Sequence, residues 1–271
     1  MTNAQKVRTT REKAAQLRAE AAVAQARRRG RIVAAVVAAV VLVLVATVVV
    51  VQQTRHDRAV ATATQPSGVP RNLSSDGGIV ATLPGSSVPA PSRAVTVELW
   101  EDLQCPACRA FGRANGATLE SWAKQGLVRL VYKPVSFLDG ASTTQYSSRA
   151  LNAAAAVADA APTAFPAFHD LLFAHQPAEG GAGLTDAQLV EYAAQAGAPR
   201  DAVASALASR RFQGWIVQRT EEFSRRFSGT PTVVVDGTVL KADDPATVIS
   251  PAALTAAVAK AAAARGLPAP Q

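Results

Sequence analysis

The chain has 271 residues, is about half apolar and carries a formal net charge of +8. Nine Lys/Arg and two acids, Glu12 and Glu20, fall within residues 1–31, so +7 of the charge belongs to that stretch and the rest of the chain is close to neutral. The basic balance therefore gives no argument for nucleic-acid binding by the main domain. With two cysteines, Cys105 and Cys108, a multi-disulfide scaffold is excluded as well.

Residues 1–31 are Ala-rich and basic, and read as a solvated cytoplasmic segment that sets orientation. Binding to anionic lipid headgroups is a further use for it. Ile32 to Val51 follows, a twenty-residue run whose one polar member is Thr47. As a helix at ~1.5 Å per residue it spans roughly the hydrocarbon core of a bilayer. The flanking charge keeps the N-terminus inside and residues 52–271 outside. A cleaved signal peptide is the alternative, with small residues at Ala59 to Ala63. The long apolar run, the long basic lead and the intervening Arg55, His56, Asp57 and Arg58 favour a retained single-pass anchor.

Residues 52–77 are rich in Ser, Gly, Pro and Thr and read as a flexible tether. A folded domain is expected over 78–266, with a short tail at 267–271. Residues around Ile79 suggest a first short strand. Ala94 to Leu103, β-branched and apolar, predicts a strand that runs directly into the cysteines. A helical pattern follows to Gly126, which suits a C-cap, and Leu127 to Leu138 predicts the next strand, with Pro134 interrupting or ending its pairing. This is a βαβ unit with the cysteines at the strand-to-helix turn. From Ser142 to Ser228 the pattern is helical throughout, and Phe212, Trp215, Phe223 and Phe227 recur on one face as packing. Thr230 to Ala242 predicts a hairpin turning at Asp236-Gly237, and a last helix begins at Pro251.

Three uses compete for the C-P-A-C pair. A structural clip gains little, because so small a loop removes little unfolded-state entropy. A zinc site needs about four ligands. His56, His169 and His175 have no ligand spacing to the pair, so no metal is expected and the two helix histidines read as ordinary helix residues. A dithiol–disulfide couple needs these two residues alone and no further cofactor. The local sequence favours it. Cys105 falls at the helix start, where unbonded N–H groups and the helix dipole stabilise a thiolate. Pro106 suits the first helical position, and Ala107 is small and leaves the sulfur open. Cys108, one turn further in, is expected to be more buried and to resolve mixed disulfides. Pro231 opens the later hairpin. A trans proline on an edge strand is one reading of it; a cis Thr230–Pro231 turn that faces the cysteines and offers the Thr230 backbone to an extended substrate is the other, favoured by its context.

Together "VELWEDLQCPACRAF", the helical block and "GTPTVVVDG" resemble the DsbA family of thioredoxin-fold thiol–disulfide oxidoreductases, in its membrane-tethered bacterial form, over about Val95 to Gly266. The resemblance implies an α/β, thioredoxin-like fold with an inserted helical domain, here about 139–228, behind a single transmembrane helix. It implies Cys105 as nucleophile, Cys108 as resolving cysteine and Pro231 as a cis-proline. Implied partners are exported proteins with reduced cysteines and a DsbB-like or vitamin K epoxide reductase-like membrane oxidase. A noncatalytic client-binding module and a dedicated disulfide reductase are the alternatives. One departure stands out: many relatives have a buried acid six positions before the nucleophile, where this chain has Leu99. Glu98, Glu101, Asp102 or solvent are left to take the proton of Cys108, with solvation or a salt bridge the default fate of each acid.

Overall fold

The computed structural model describes residues 68–86, 93–240 and 250–270, all within one compact unit, Ala61–Gln271. The basic segment, the expected membrane span at 32–51 and residues 52–67 of the expected tether lie outside the described residues. Among the described residues no helix is long and apolar enough to cross a membrane.

Five strands form one sheet in the order β1-β3-β2-β4-β5. They are β1 (Ile79–Val80), β2 (Val95–Glu101), β3 (Val128–Pro134), β4 (Thr232–Val235) and β5 (Thr238–Val239). Strands β2 and β3 are parallel, joined through helix α1 (Pro106–Lys124). Strand β4 returns antiparallel on the other side of β2, pairing Val97 with Val235 and Trp100 with Thr232. The central strand β2 is thus flanked by neighbours that are far apart in sequence.

Local chemistry fixes the ends of these elements. Gly126 adopts φ 74°, the left-handed conformation that suits glycine, and the Leu127 N–H reaches back to the Trp122 carbonyl, so α1 closes in a Schellman turn. Asp236 and Gly237 both have positive φ, as the tight β4–β5 turn requires.

The insertion between β3 and β4 carries helices α2 (Tyr146–Ala160), α3 (Phe165–Ala174), α4 (Asp186–Gln195), α5 (Arg200–Ser209) and α6 (Gln213–Arg226). Helix α4 starts with a reciprocal capping box between Thr185 and Gln188. The Ala-rich α2 is buried along nearly its whole length, because small side chains let α3, α4, α5 and α6 approach from several sides. Asn152 is its buried polar member: its amide donates to the Ala206 carbonyl at 2.7 Å and accepts from the Phe212 N–H at 3.0 Å. Phe212, Trp215 and Phe223 are buried, as packing. Helix α7 (Pro251–Ala264) packs Leu254, Val258 and Ala262 into the main core.

Both faces of β2 are covered. Val95, Val97 and Leu99 face the main core, while Trp100 joins Val135, Phe223 and Val234 in a second cluster.

Residues 68–77 depart from the expected tether. They pack on the domain: the Gly68 N–H donates to the Arg211 carbonyl, Arg71 pairs with Asp159 at 3.0 Å, and Asp76 pairs with the buried Lys133 at 2.6 Å. Their Ser- and Gly-rich composition reflects turns held by these long-range ion pairs.

Candidate active site

Strand β2 delivers the chain to the redox pair, and α1 begins immediately after it. Cys105 is the N-cap of α1, with extended backbone (φ −72°, ψ 119°), and Pro106 occupies the first helical turn. Pro106 and Ala107 are exposed. Both cysteines are free thiols, Cys105 6% and Cys108 1% exposed. The sulfur expected to be open is therefore nearly covered. Thr230 is what reaches it: Cys105 Sγ donates to the Thr230 carbonyl at 3.3 Å, and the Thr230–Pro231 bond is cis. Four residue positions called from the sequence, Cys105, Cys108, Thr230 and Pro231, thus meet at one place, at the carboxyl ends of the parallel strands.

The electrostatics of the two sulfurs diverge. A hydrogen bond from the Cys108 thiol, opposed by burial and helped by the Thr230 side chain and the N–H groups of Cys108 and Ala107, pulls Cys105 down to about 6. The Thr230 carbonyl favours the thiol form and the other donors favour the thiolate; the donors outnumber it. Burial pushes Cys108 well above its ordinary value, reinforced by the Cys105 sulfur and then by the Glu101 charge. The Asp102 N–H acts on the Cys108 sulfur in the opposite sense, which sets that sulfur beside the end of β2. One sulfur is thus poised as a leaving group and nucleophile, and the other holds its proton.

The turn from Glu101 to Cys105 is gripped by the inserted helices and the loop that leads into them. Asp102 is fully buried; its carboxylate accepts from the Gln104 N–H at 2.8 Å, the Leu138 N–H at 2.8 Å and the Ser147 hydroxyl at 2.7 Å. Burial nevertheless pushes it up to about 6. The Gln104 amide donates to the Ala141 carbonyl at 2.6 Å. The Gln176 amide, just past α3, donates to the carbonyls of Leu103 at 3.1 Å and Cys105 at 3.0 Å. Glu101 is 1% exposed and its Oε1 accepts from His169 Nε2 at 2.7 Å.

The acids left open by the sequence now separate. Leu99 lies in the main core and Glu98 is half-exposed, accepting from the Trp100 indole at 3.1 Å. Glu101, two residues on from Leu99, shares its face of the strand by the pleat. That parity was the available signal. His169 is no ordinary helix residue: it is buried and paired. Nothing in the sequence marked Gln176 or Ser147, since their contacts span tens of residues. Among the described residues no cluster of His, Cys, Asp and Glu has the arrangement of a metal site.

A thioredoxin family model matches residues 89–258. The reduced form of the disulfide bond oxidoreductase DsbG from Mycobacterium tuberculosis is 35% identical, with a TM-score of 0.53 over 69% of this chain and 84% of that one. Reduced DsbA from the same organism is 33% identical, with a TM-score of 0.52 over 71% of this chain and 96% of that one. BdbD from Bacillus subtilis, at 21% identity and a TM-score of 0.57 over 72% of this chain and 96% of that one, shares the fold. A curated relative, a protein named Na(+)/H(+) antiporter NhaA 3 from Salinispora tropica, is 35% identical over 144 residues, 53% of this chain. The chain spans 20% of that protein's length, and the ion exchange in its name is said of that protein.

Proposed function

The chain belongs to the thioredoxin family as a thiol–disulfide oxidoreductase of the DsbA type, and on that premise we propose that it forms or exchanges disulfides in exported proteins, through Cys105 and Cys108, from a membrane anchor at 32–51 with its folded domain outside the cytoplasm. The observation that carries this reading is the asymmetry of the pair: Cys105 is pulled down to about 6 at a helix start and Cys108 is held protonated behind it. A low-pKa leaving sulfur makes the disulfide oxidising. A noncatalytic client-binding module gives no reason for such a thiol.

The reaction balances in two exchanges. A client thiolate attacks Cys105 Sγ of the Cys105–Cys108 disulfide; the S–S bond breaks and Cys108 leaves, taking up a proton. A second client thiolate attacks the client sulfur of the mixed disulfide, and Cys105 leaves as a thiolate. The client loses two electrons and the pair gains them. Thr230, whose backbone meets Cys105, and Pro231 border the path by which an extended client reaches the sulfur. Return to the disulfide needs an electron acceptor. A quinone-linked membrane oxidase of the DsbB-like or vitamin K epoxide reductase-like kind suits an anchored enzyme.

The test combines two variants and one potential. Cys105→Ser abolishes dithiol oxidation, and Cys108→Ser accumulates client mixed disulfides on Cys105, read by nonreducing gels. Turnover by Cys105→Ser at the parent rate overturns the reading. A reduction potential near ~−120 mV marks an oxidase, and one near ~−270 mV a dedicated reductase.

A further inference from the structure

Backbone donors help to hold the Cys105 thiolate, and they point at the sulfur only while the helix start keeps its shape. Pro106 carries no N–H, so the first donors of α1 are those of Ala107 and Cys108, and both act on the Cys105 sulfur. A side chain of the inserted block grips this helix start from outside.

Gln176 lies just past α3 and is half-buried. Its amide nitrogen donates to the Leu103 carbonyl at 3.1 Å and to the Cys105 carbonyl at 3.0 Å. An amide nitrogen has two protons to give, and here two carbonyls receive them. The Cys105 carbonyl also accepts the Arg109 N–H at 3.2 Å, the first bond of the helix, so both of its lone pairs are used. The bridge thus runs from the last turn before the helix to its cap. Gln176 is itself braced. Its N–H donates to the Phe173 carbonyl at 3.4 Å, and the His175 N–H to the Leu171 carbonyl at 3.0 Å, closing α3. The His175 ring stacks on Tyr192 of α4, centroids 4.5 Å apart and planes 11° apart. Arg109 Nη2 donates to the Ala174 carbonyl at 3.5 Å. Pro177 follows and biases the Gln176 backbone toward extended conformations. The side chain is therefore presented from a fixed base.

We propose that Gln176 is a positioning residue for the redox pair: by bridging the Leu103 and Cys105 carbonyls it keeps the first N–H groups of α1 aimed at the Cys105 sulfur, and so sets the oxidising strength of the disulfide. The positive end of its amide dipole lies against the Cys105 peptide and favours negative charge there. The clamp matters most in the reduced form, where the sulfur is charged. A disulfide sulfur is neutral and gains little from the same donors. Loss of the clamp therefore destabilises the reduced pair selectively and makes the disulfide a weaker oxidant. A side chain that only filled space would affect both forms alike.

The inference rests on Cys105 and Cys108 being the redox pair, and the experiment keeps the two apart. Gln176→Met keeps the length of the side chain and lacks its donors. In the reduced full-length chain, Cys105 is titrated by the ultraviolet absorbance of its thiolate. The oxidised chain is then equilibrated with reduced glutathione. Two glutathiones give two electrons and two protons to the pair and leave as one glutathione disulfide; at neutral pH Cys105 passes its proton on to the buffer. The parent Cys105 titrates at about 6. In Gln176→Met the midpoint rises by about one unit. The equilibrium constant for reducing the pair then falls about fivefold at pH 7, because the ratio of thiolate to thiol drops from about ten to about one. At pH 5 the thiol prevails in both chains, and their constants agree within about 1.5-fold. The same Cys105 midpoint in both chains overturns the proposal, and so does a fall of equal size at pH 5 and pH 7. A parent Cys105 that titrates near the ~8.5 of a free thiol overturns the oxidoreductase reading, and the clamp with it. Should Gln176→Met not fold, the parent chain decides by nuclear magnetic resonance. Gln176 side-chain amide signals that shift with the Cys105 titration in the reduced chain and stay flat in the oxidised chain support the clamp; signals flat in both overturn it.

Discussion

At the scale of single residues, the site is a contest over protons between neighbouring sulfurs. Cys105, pulled down to about 6 from 9.0, is mostly thiolate at neutral pH. Its alkylation by iodoacetamide in the reduced protein is expected to rise through pH 6 and level off by about pH 7; a rise centred near the ~8.5 of a free thiol refutes the assignment. The sign for stability follows. A depressed folded-state value stabilises the reduced form above the unfolded value of about 9, and that contribution is lost as pH falls through about 6. The melting temperature of the reduced form is therefore expected to rise relative to that of the oxidised form between pH 5 and pH 8. Much of this was legible in the sequence, because Cys105, Pro106 and Cys108 owe their roles to a helix start, and helix starts are written locally. How fully Cys105 is covered was not: the small Ala107 pointed to an open sulfur, whereas the turn at Thr230, expected to face it, leaves Cys105 only 6% exposed. Glu101 was half legible, since parity places it on the face of Leu99, but burial and a partner at His169 belong to tertiary structure.

At the scale of elements, the inserted helices are the second wall of the redox centre. Every residue from Glu101 to Cys105 makes a bond to the stretch between Leu138 and Gln176, through Ser147, Ala141, Leu138, His169 or Gln176. The block therefore has to be internally rigid for the turn to be so. Asn152 is where that rigidity is polar. Asn152→Ala leaves the Ala206 carbonyl and the Phe212 N–H without their partner in a buried seam, at a cost of about 2–4 kcal/mol, read as a lower urea midpoint with an unchanged slope. The helices themselves were readable from spacing and caps, such as Thr185 at the start of α4. Their grip on the turn was not, because hydrogen bonds to backbone carbonyls leave no trace in residue pattern.

At the scale of the whole molecule, the domain begins earlier than composition suggests. Lys133 is buried in β3, its ammonium 2.6 Å from Asp76 and 5.2 Å from the centre of the Trp100 ring. Asp76 also engages Arg219 of α6 through its carbonyl at 2.6 Å. Residues 68–77 thus tie the sheet to the inserted helices. Asp76→Ala in the full chain strands a buried cation and is expected to cost about 3 kcal/mol, read by denaturant unfolding; a loss under about 0.5 kcal/mol shows the strap to be dispensable. A Ser- and Gly-rich stretch looks the same in sequence whether it swings free or is pinned by two charges, which is why the boundary shifted.

The bond from Cys105 to Thr230 spans 125 positions. A ribosome adding ~5–20 residues per second needs about 6–25 s to cross that distance. For that interval the nascent chain carries its most reactive atom without its cover, and β2 cannot yet pair with β4. This thiol–disulfide oxidoreductase therefore begins life with its own reactive thiol uncovered, and the order in which its segments arrive sets how long that exposure lasts.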